Sequence, residues 1–201
     1  MLGLPIETRV NRQLPKKAIY SKFKMNASSK EKIDADISRI TITNEISPAR
    51  IKIAEGEKVK SFFVVNVVLK RKDFDEQSII AISKLIPQNI VFLLEYDEEA
   101  KLAVYYSKLF QTSWMHKNEV VIYQSGFNLD TMWENIVIQI GDVVVVQGTS
   151  LEDQIELDIN REKLNKEIGR LEKLAWKEVQ PKKKFELAKR INDLKKERED
   201  Q

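Results

Sequence analysis

Metal-dependent cleavage of a phosphodiester is the first chemistry to test on this chain. Residues 29–96 read as helix, strand, strand, strand, helix, strand, an order that can build a nuclease core. Such a core needs an acid on its second strand and an acid-x-Lys pair on its third. The carboxylates hold Mg²⁺ while the lysine positions the attacking water. The expected second strand offers Lys52, and the third offers Asn66, Val68 and Lys70. No acid is in register. Glu55, Glu57, Asp73 and Asp75 fall at strand ends, where exposed carboxylates are ordinary. His116, the one histidine, follows Trp114 and Met115 in a chain without cysteine. That makes a poor metal site, and no serine or cysteine is arranged to use the imidazole as a base. The six glycines are scattered, and no phosphate-binding loop is among them. The residues therefore predict no catalytic group, no metal set and no cofactor.

Basic residues gather at two places. Lys70, Arg71 and Lys72 end the third strand, while Lys177, Lys182, Lys183 and Lys184 surround a turn with Trp176 and Phe185 close by. Cations beside an aromatic ring can follow a phosphate backbone while the ring stacks on a base. Lysines at a helix C-terminus also complement its dipole, and a tryptophan can simply pack. The formal net charge of +3 is too small to mark the whole molecule as a nucleic-acid binder. Its distribution says more, because residues 161–201 hold fourteen basic against nine acidic residues and residues 1–160 lean slightly acidic. Nucleic-acid binding, if present, is expected at Trp176, Lys177, Lys182, Lys183 and Lys184.

These lysines lie on a tail that differs abruptly from the body. From Thr149 onward there is one proline, Pro181, one glycine, Gly169, and otherwise a run rich in Glu, Lys, Leu and Arg. Two helices separated at Pro181 follow, the first capped by Thr149 and Glu152. Leu157, Leu164, Ile168, Leu171 and Ala175 form one narrow apolar seam, and Leu187, Ile191 and Leu194 continue it. A seam that narrow needs a partner, because short isolated helices are marginal in water. Leu164, Ile168, Leu171, Leu187, Ile191 and Leu194 are the expected docking residues, in a helical hairpin or against another protein.

The body, residues 1–148, reads as α+β: a mixed sheet flanked by helices, ahead of the coiled-coil-like tail of residues 149–201. Residues 1–15 predict an extended arm, and a short helix follows through Ala18, Ile19, Tyr20 and Phe23. A second helix starts at Ser28 or Ser29 and runs to about Asp36. Ile40 and Ile42 alternate with threonines as in a strand, Pro48 breaks the pattern, and Ile51 with Ile53 predicts a further short strand. The run at residues 62–69 is apolar enough to be the covered centre of the sheet. Asp73 and Glu76 predict a capping box for a helix that Pro87 ends. Strands are expected at residues 89–96, 101–108 and 119–123, a helix from Leu129 or Asp130 to about Ile140, and a β-type run at residues 143–146. No apolar stretch is long enough to cross a bilayer, and Arg9, Arg12, Lys16 and Lys17 interrupt any signal-peptide core. With no cysteine to form disulfides, the expectation is a soluble cytoplasmic protein without membrane contact.

Several motifs resemble the bacterial family known as domain of unknown function forty-three ninety-one. They are Val10-Asn11 with Leu14-Pro15-Lys16, the Val59 to Lys70 stretch, and Leu85-Ile86-Pro87 with the strand through Glu95-Tyr96. Trp114 follows, then Gly126-Phe127-Asn128-Leu129-Asp130-Thr131 with Glu134-Asn135 and Gln139-Ile140, and a tail run from Leu171 to Lys196. Members are commonly encoded beside helicases and type-III-like DNA methyltransferases. The resemblance implies an accessory protein in DNA-directed antiviral defence or restriction, and it supplies no catalytic residue. Relatives tend to place acids along the third strand where this chain has Ser61, Phe63, Asn66 and Val68. The leading expectation is a non-enzymatic subunit that docks on a helicase, translocase or DNA methyltransferase. The alternative is a DNA-binding or metal-dependent nuclease module with a restriction-endonuclease-like core.

Overall fold

Two units make up the chain, Met1–Val144 and Val145–Gln201, in a computed structural model that describes residues 2–22 and 25–199. After a single 3₁₀ turn at Ile6–Thr8, the first unit runs β1 (Arg9–Gln13), α1 (Lys16–Lys22), α2 (Ala27–Asp36), β2 (Ile37–Ile46), β3 (Phe62–Leu69) and α3 (Glu76–Leu85). It continues with β4 (Asn89–Tyr96), β5 (Glu99–Tyr106), β6 (Lys108–Gln111), β7 (Met115–His116) and α4 (Leu129–Gly141). The second unit is α5 (Leu151–Lys177) and α6 (Pro181–Glu199). The fold is α+β, with a mixed sheet, flanking helices and two C-terminal helices.

Strand order is β1-β2-β3-β4-β5-β6, with β7 also paired to β5. Neighbours are antiparallel except β3 and β4, which are parallel and joined through α3. The apolar run thus becomes β3 at the centre of the sheet. Val65, Val67 and Leu69 pack with Phe92 and Leu94 of β4 against Ile19 of α1, Ile33 of α2, and Ile79 and Ile82 of α3. Alternate β3 side chains face the other way, where the Phe62 ring lies 5.4 Å from that of Trp133 in α4. Burying each large aliphatic or aromatic side chain contributes about 1.5–3 kcal/mol, so the two covered faces hold this unit together.

The differences from expectation are local. Residues 51–53 form no strand. Ser47 O instead accepts from the Arg50 and Ile51 amides, and Ala54 makes only an isolated bridge to Asn128. With that strand absent, the order from α2 to β4 is helix, strand, strand, helix, strand. The expected arm contains β1, an edge strand whose polar Arg-Val-Asn-Arg-Gln shows no alternation to read; its register shifts where Asn11 takes φ 47°. The hairpin loop expected at residues 97–100 is shorter, since Tyr96 already pairs with Glu99 and Asp97 makes the turn at φ 50°. Residues 119–123 and 143–146 form no strands, and β6 and β7 lacked a legible pattern. Phe23 lies outside the described residues. The caps are also displaced: Asn26 rather than Ser28 or Ser29 starts α2, Asp75 rather than Asp73 starts α3, and Ser150 rather than Thr149 starts α5.

Candidate docking site on the helical hairpin

Ser150 opens α5 by accepting the Asp153 amide at 3.1 Å while its hydroxyl donates to Asp153 Oδ2 at 2.7 Å. At the far end Glu178 Oε1 accepts from the Gln180 amide at 2.8 Å, and Pro181 starts α6 where a missing N–H costs nothing. The turn folds α6 back along α5. Ile168, Leu171, Ile191 and Leu194 are buried in one cluster, with Leu164, Ala175 and Leu187 packed on it. Leu157 lies outside that cluster. Across the pair, Lys195 Nζ is 2.8 Å from Glu172 Oε1, and Arg198 Nη1 donates to Asn165 Oδ1 at 3.0 Å. The six residues expected to dock a partner are therefore turned on one another. What a partner meets is whatever they leave outside.

At the closed end they leave a great deal. Trp176 is 84% exposed, Val179 89%, Phe185 72% and Leu174 45%. On one side, Leu174 and Leu187 floor an open groove of about 580 Å³ edged by Lys177, Glu178, Lys183 and Glu186. Lys177, Lys182, Lys183 and Lys184 are all exposed, and none of their side chains has an ion pair among the described residues. The structure thus brings the five expected nucleic-acid residues to one end of the hairpin. Leu174 and Val179 were not singled out by sequence, because they stand off the seam and only the turn places them together.

Most of the other basic and acidic candidates are held in structural bonds, while Glu57 and Asp73 are simply exposed. Lys70 Nζ donates to Asp34 O at 2.6 Å, and Lys72 pairs with Glu99 while lying 5.4 Å from the Trp114 ring centroid. Arg71 Nε donates at 2.6 Å to Asp36, a fully buried carboxylate that also accepts the Asp75 amide at 2.8 Å. A buried charge is costly unless paired and hydrogen-bonded, and Asp36 has both. Of the acids tested for metal binding, Asp75 caps α3 and accepts from Lys32 at 2.8 Å, and Glu55 lies 3.6 Å from Lys60. Asn66 sits mid-β3 with its Oδ1 buried and unbonded. Exposed His116 accepts the Asn118 amide on Nδ1 at 3.3 Å. Among the described residues no group of three or more His, Cys, Asp and Glu is placed to hold a metal.

One further constellation explains the motif around α4. Thr131, Asn135 and Gln139 recur every four residues, so they share one helix face. Thr131 Oγ1 accepts the Phe127 amide, Asn135 Nδ2 donates to Ser125 O, and the Gln139 amide group bonds both Val121 O at 2.7 Å and Tyr123 N at 3.0 Å. Three side chains therefore clamp residues 121–127 along the helix. Asp130 points elsewhere and accepts the amides of Glu57, Lys58 and Val59. A family model for a domain of unknown function, DUF4391, matches residues 2–197. The chain belongs to the DUF4391 family. Neither the curated proteins nor the solved structures contain a match to it. In this DUF4391 protein, then, the Gly126–Ile140 motif is a device for fixing loops. No helix among its described residues is long and apolar enough to cross a membrane.

Proposed function

We propose that this DUF4391 protein is a non-enzymatic accessory subunit that docks a protein partner through the closed end of its α5–α6 hairpin. One observation carries the reading: the hairpin fills its own seam and still exposes Leu174, Val179 and Phe185 beside a groove edged by two lysines and two glutamates. Large exposed apolar groups gathered at one place mark interaction surfaces more often than scattered single ones do. The resemblance noted above directs the choice of partner to a helicase, translocase or DNA methyltransferase of a cytoplasmic defence or restriction system. Co-purification of such a partner, co-expressed with the protein, tests this. Leu174→Ser with Phe185→Ser should abolish capture while the far-UV helical signal stays unchanged. Undiminished capture by that double variant overturns the site, and no capture of any of the three partner types by the unaltered protein overturns the assignment.

A second reading has its own observation, the exposed Lys177, Lys182, Lys183 and Lys184, which have no ion pair among the described residues, beside Trp176. It makes the same end a nucleic-acid contact. The alternative of a metal-dependent nuclease draws on neither observation.

A further inference from the structure

Besides its apolar seam, α5 carries a second stripe with the same alternation. Lys163, Lys166, Arg170, Lys173 and Lys177 follow one another at spacings of three, four, three and four. At 3.6 residues per turn they fall within about 80° of one another, on the side of the helix turned away from Leu164, Ile168 and Leu171. All five are exposed. No other residue between them falls in that sector, so the row is cationic at every position over about 21 Å of helix. Like charges three and four residues apart destabilise a helix, and a face that serves solubility alone mixes its signs. The acids stand off the row and are engaged. Glu162 pairs with Lys166 at 2.8 Å, Glu167 with Arg170 at 2.7 Å, and Glu172 with Lys195 of α6 at 2.8 Å. Lys163, Lys173 and Lys177 have no ion pair among the described residues. Along one edge of the row, Trp176 is 84% exposed and shares an open depression of about 560 Å³ with Gly169, Glu172, Lys173 and Lys177.

We infer that the outer face of α5 is a track for single-stranded nucleic acid, its phosphates laid along the cationic row and an unpaired base stacked on Trp176. Charge names the occupant, because five cations in one line are complementary to a chain of regularly spaced anions. A lipid surface would call for apolar side chains along the whole face, and Trp176 stands alone at one end. Ion pairs on an exposed surface contribute little, so Lys166 and Arg170 can exchange a glutamate for a phosphate. The indole decides between strands. A duplex keeps its bases stacked inside, whereas a single strand offers a free base to an aromatic face beside a basic path. Nothing stands within 4 Å of the place a Cβ would take at Gly169, which leaves the depression open for that base. This inference rests on the nucleic-acid reading of the closed end and extends it along α5, away from the turn. Lys177 belongs to both, while Lys163, Lys166, Arg170 and Lys173 belong to the track alone.

Fluorescence anisotropy of a labelled oligothymidylate, titrated with the full chain over a range of salt concentrations, tests it. Lys163→Gln with Lys173→Gln keeps helix propensity and should flatten the slope of log affinity against log salt by about 1.4. The matched pair Lys189→Gln with Lys196→Gln removes the same charge from exposed positions of α6 and should leave the slope unchanged. Trp176→Ala should weaken oligothymidylate binding at least about fivefold and leave binding of a duplex of the same length unaltered. Oligothymidylate that does not bind at low salt would overturn the track and the closed-end reading together. Binding lost on replacing Lys182, Lys183 and Lys184 by glutamine, yet unmoved by the Lys163 and Lys173 pair, would overturn the track and leave the closed end standing. An equal effect of the α6 pair would reduce the row to bulk charge, and a duplex bound as tightly as the single strand would remove the part given to Trp176; either result overturns the inference.

Discussion

Asp130 ties down a loop far from it in sequence. Its Oδ1 accepts from Val59 N at 2.6 Å and its Oδ2 from Glu57 N at 2.6 Å, with Lys58 N also in reach. These bonds, that from Val59 foremost, hold the carboxyl below the usual aspartate range. A carboxyl whose pKa is depressed on folding stabilises the folded state above its unfolded pKa, about 3.9, and loses that contribution as pH falls through the lower folded value. Asp130→Asn should lower the urea midpoint at pH 7 and flatten its decline below about pH 4; an unchanged acid limb would mean the amides are held by something else. The loop side is equally tight. A Cβ on Gly56 would lie 2.3 Å from Asp130 Oδ1, so Gly56→Ala should cost about 1–3 kcal/mol by overpacking. Sequence reveals Asp130 only as an acid in the first turn of a helix, because its partners lie more than seventy residues away in a loop without periodicity. Asp75 was likewise legible as an acid near a helix start, but not as the cap itself.

Elements were readable where one period dominates and opaque where a single side chain substitutes for a strand. β3, β4 and α4 follow from their apolar patterns, and α5 and α6 from the break at Pro181. Residues 119–123 alternate as a strand should, with Val120 and Ile122 buried. Yet Val121 O and Tyr123 N bond the side-chain amide of Gln139 where a neighbouring strand would stand. Periodicity reports burial, and burial alone does not choose the hydrogen-bond partner. The tail shows the same limit, since its seam was plain but whether it folds on itself was not. With Leu171 and Ile168 buried against Ile191 and Leu194, the hairpin should depend on them. Charged replacement of Leu171 and Leu164 forfeits about 2 kcal/mol for each side chain that is buried, before the cost of burying charge. Circular dichroism of Leu164→Glu with Leu171→Glu should show a loss of helix equivalent to most of α5 and α6, with the sheet signal retained. Full retention of helicity would mean that the two helices do not need each other.

Charge is not divided as folding is: the second unit holds fourteen basic against thirteen acidic residues, and its basic excess lies only in residues 161–201, past Glu152, Asp153, Glu156 and Asp158. In the body, Arg71 and Lys72 are matched by Asp36 and Glu99 and Lys70 is held by a backbone carbonyl, so little free positive charge remains around β3. The same neutralisation, with Asn66 and Val68 where an acid-x-Lys site would stand, predicts that purified protein cleaves no DNA with Mg²⁺ or Mn²⁺. Cleavage abolished by replacing Glu55, Glu57 or Asp73 would show a site that this geometry does not contain. At the hairpin's closed end the position is reversed, because Lys177, Lys182, Lys183 and Lys184 are exposed without ion pairs among the described residues and Trp176 offers a stacking face. Each phosphate neutralised by such a lysine releases counterions, giving a slope of log affinity against log salt of about −0.7 per contact on single strands. If the end contacts nucleic acid, binding should be measurable at low salt, weakly dependent on sequence, and steepest for the unaltered protein. Replacing the four lysines by glutamine should flatten the slope by up to about 3, and Trp176→Ala should weaken binding by about 1–3 kcal/mol without changing the slope. The two substitutions separate phosphate contact from base stacking. A slope unmoved by the glutamines would assign the tail's charge to protein docking, where screening acts on the encounter rate before it acts on the complex.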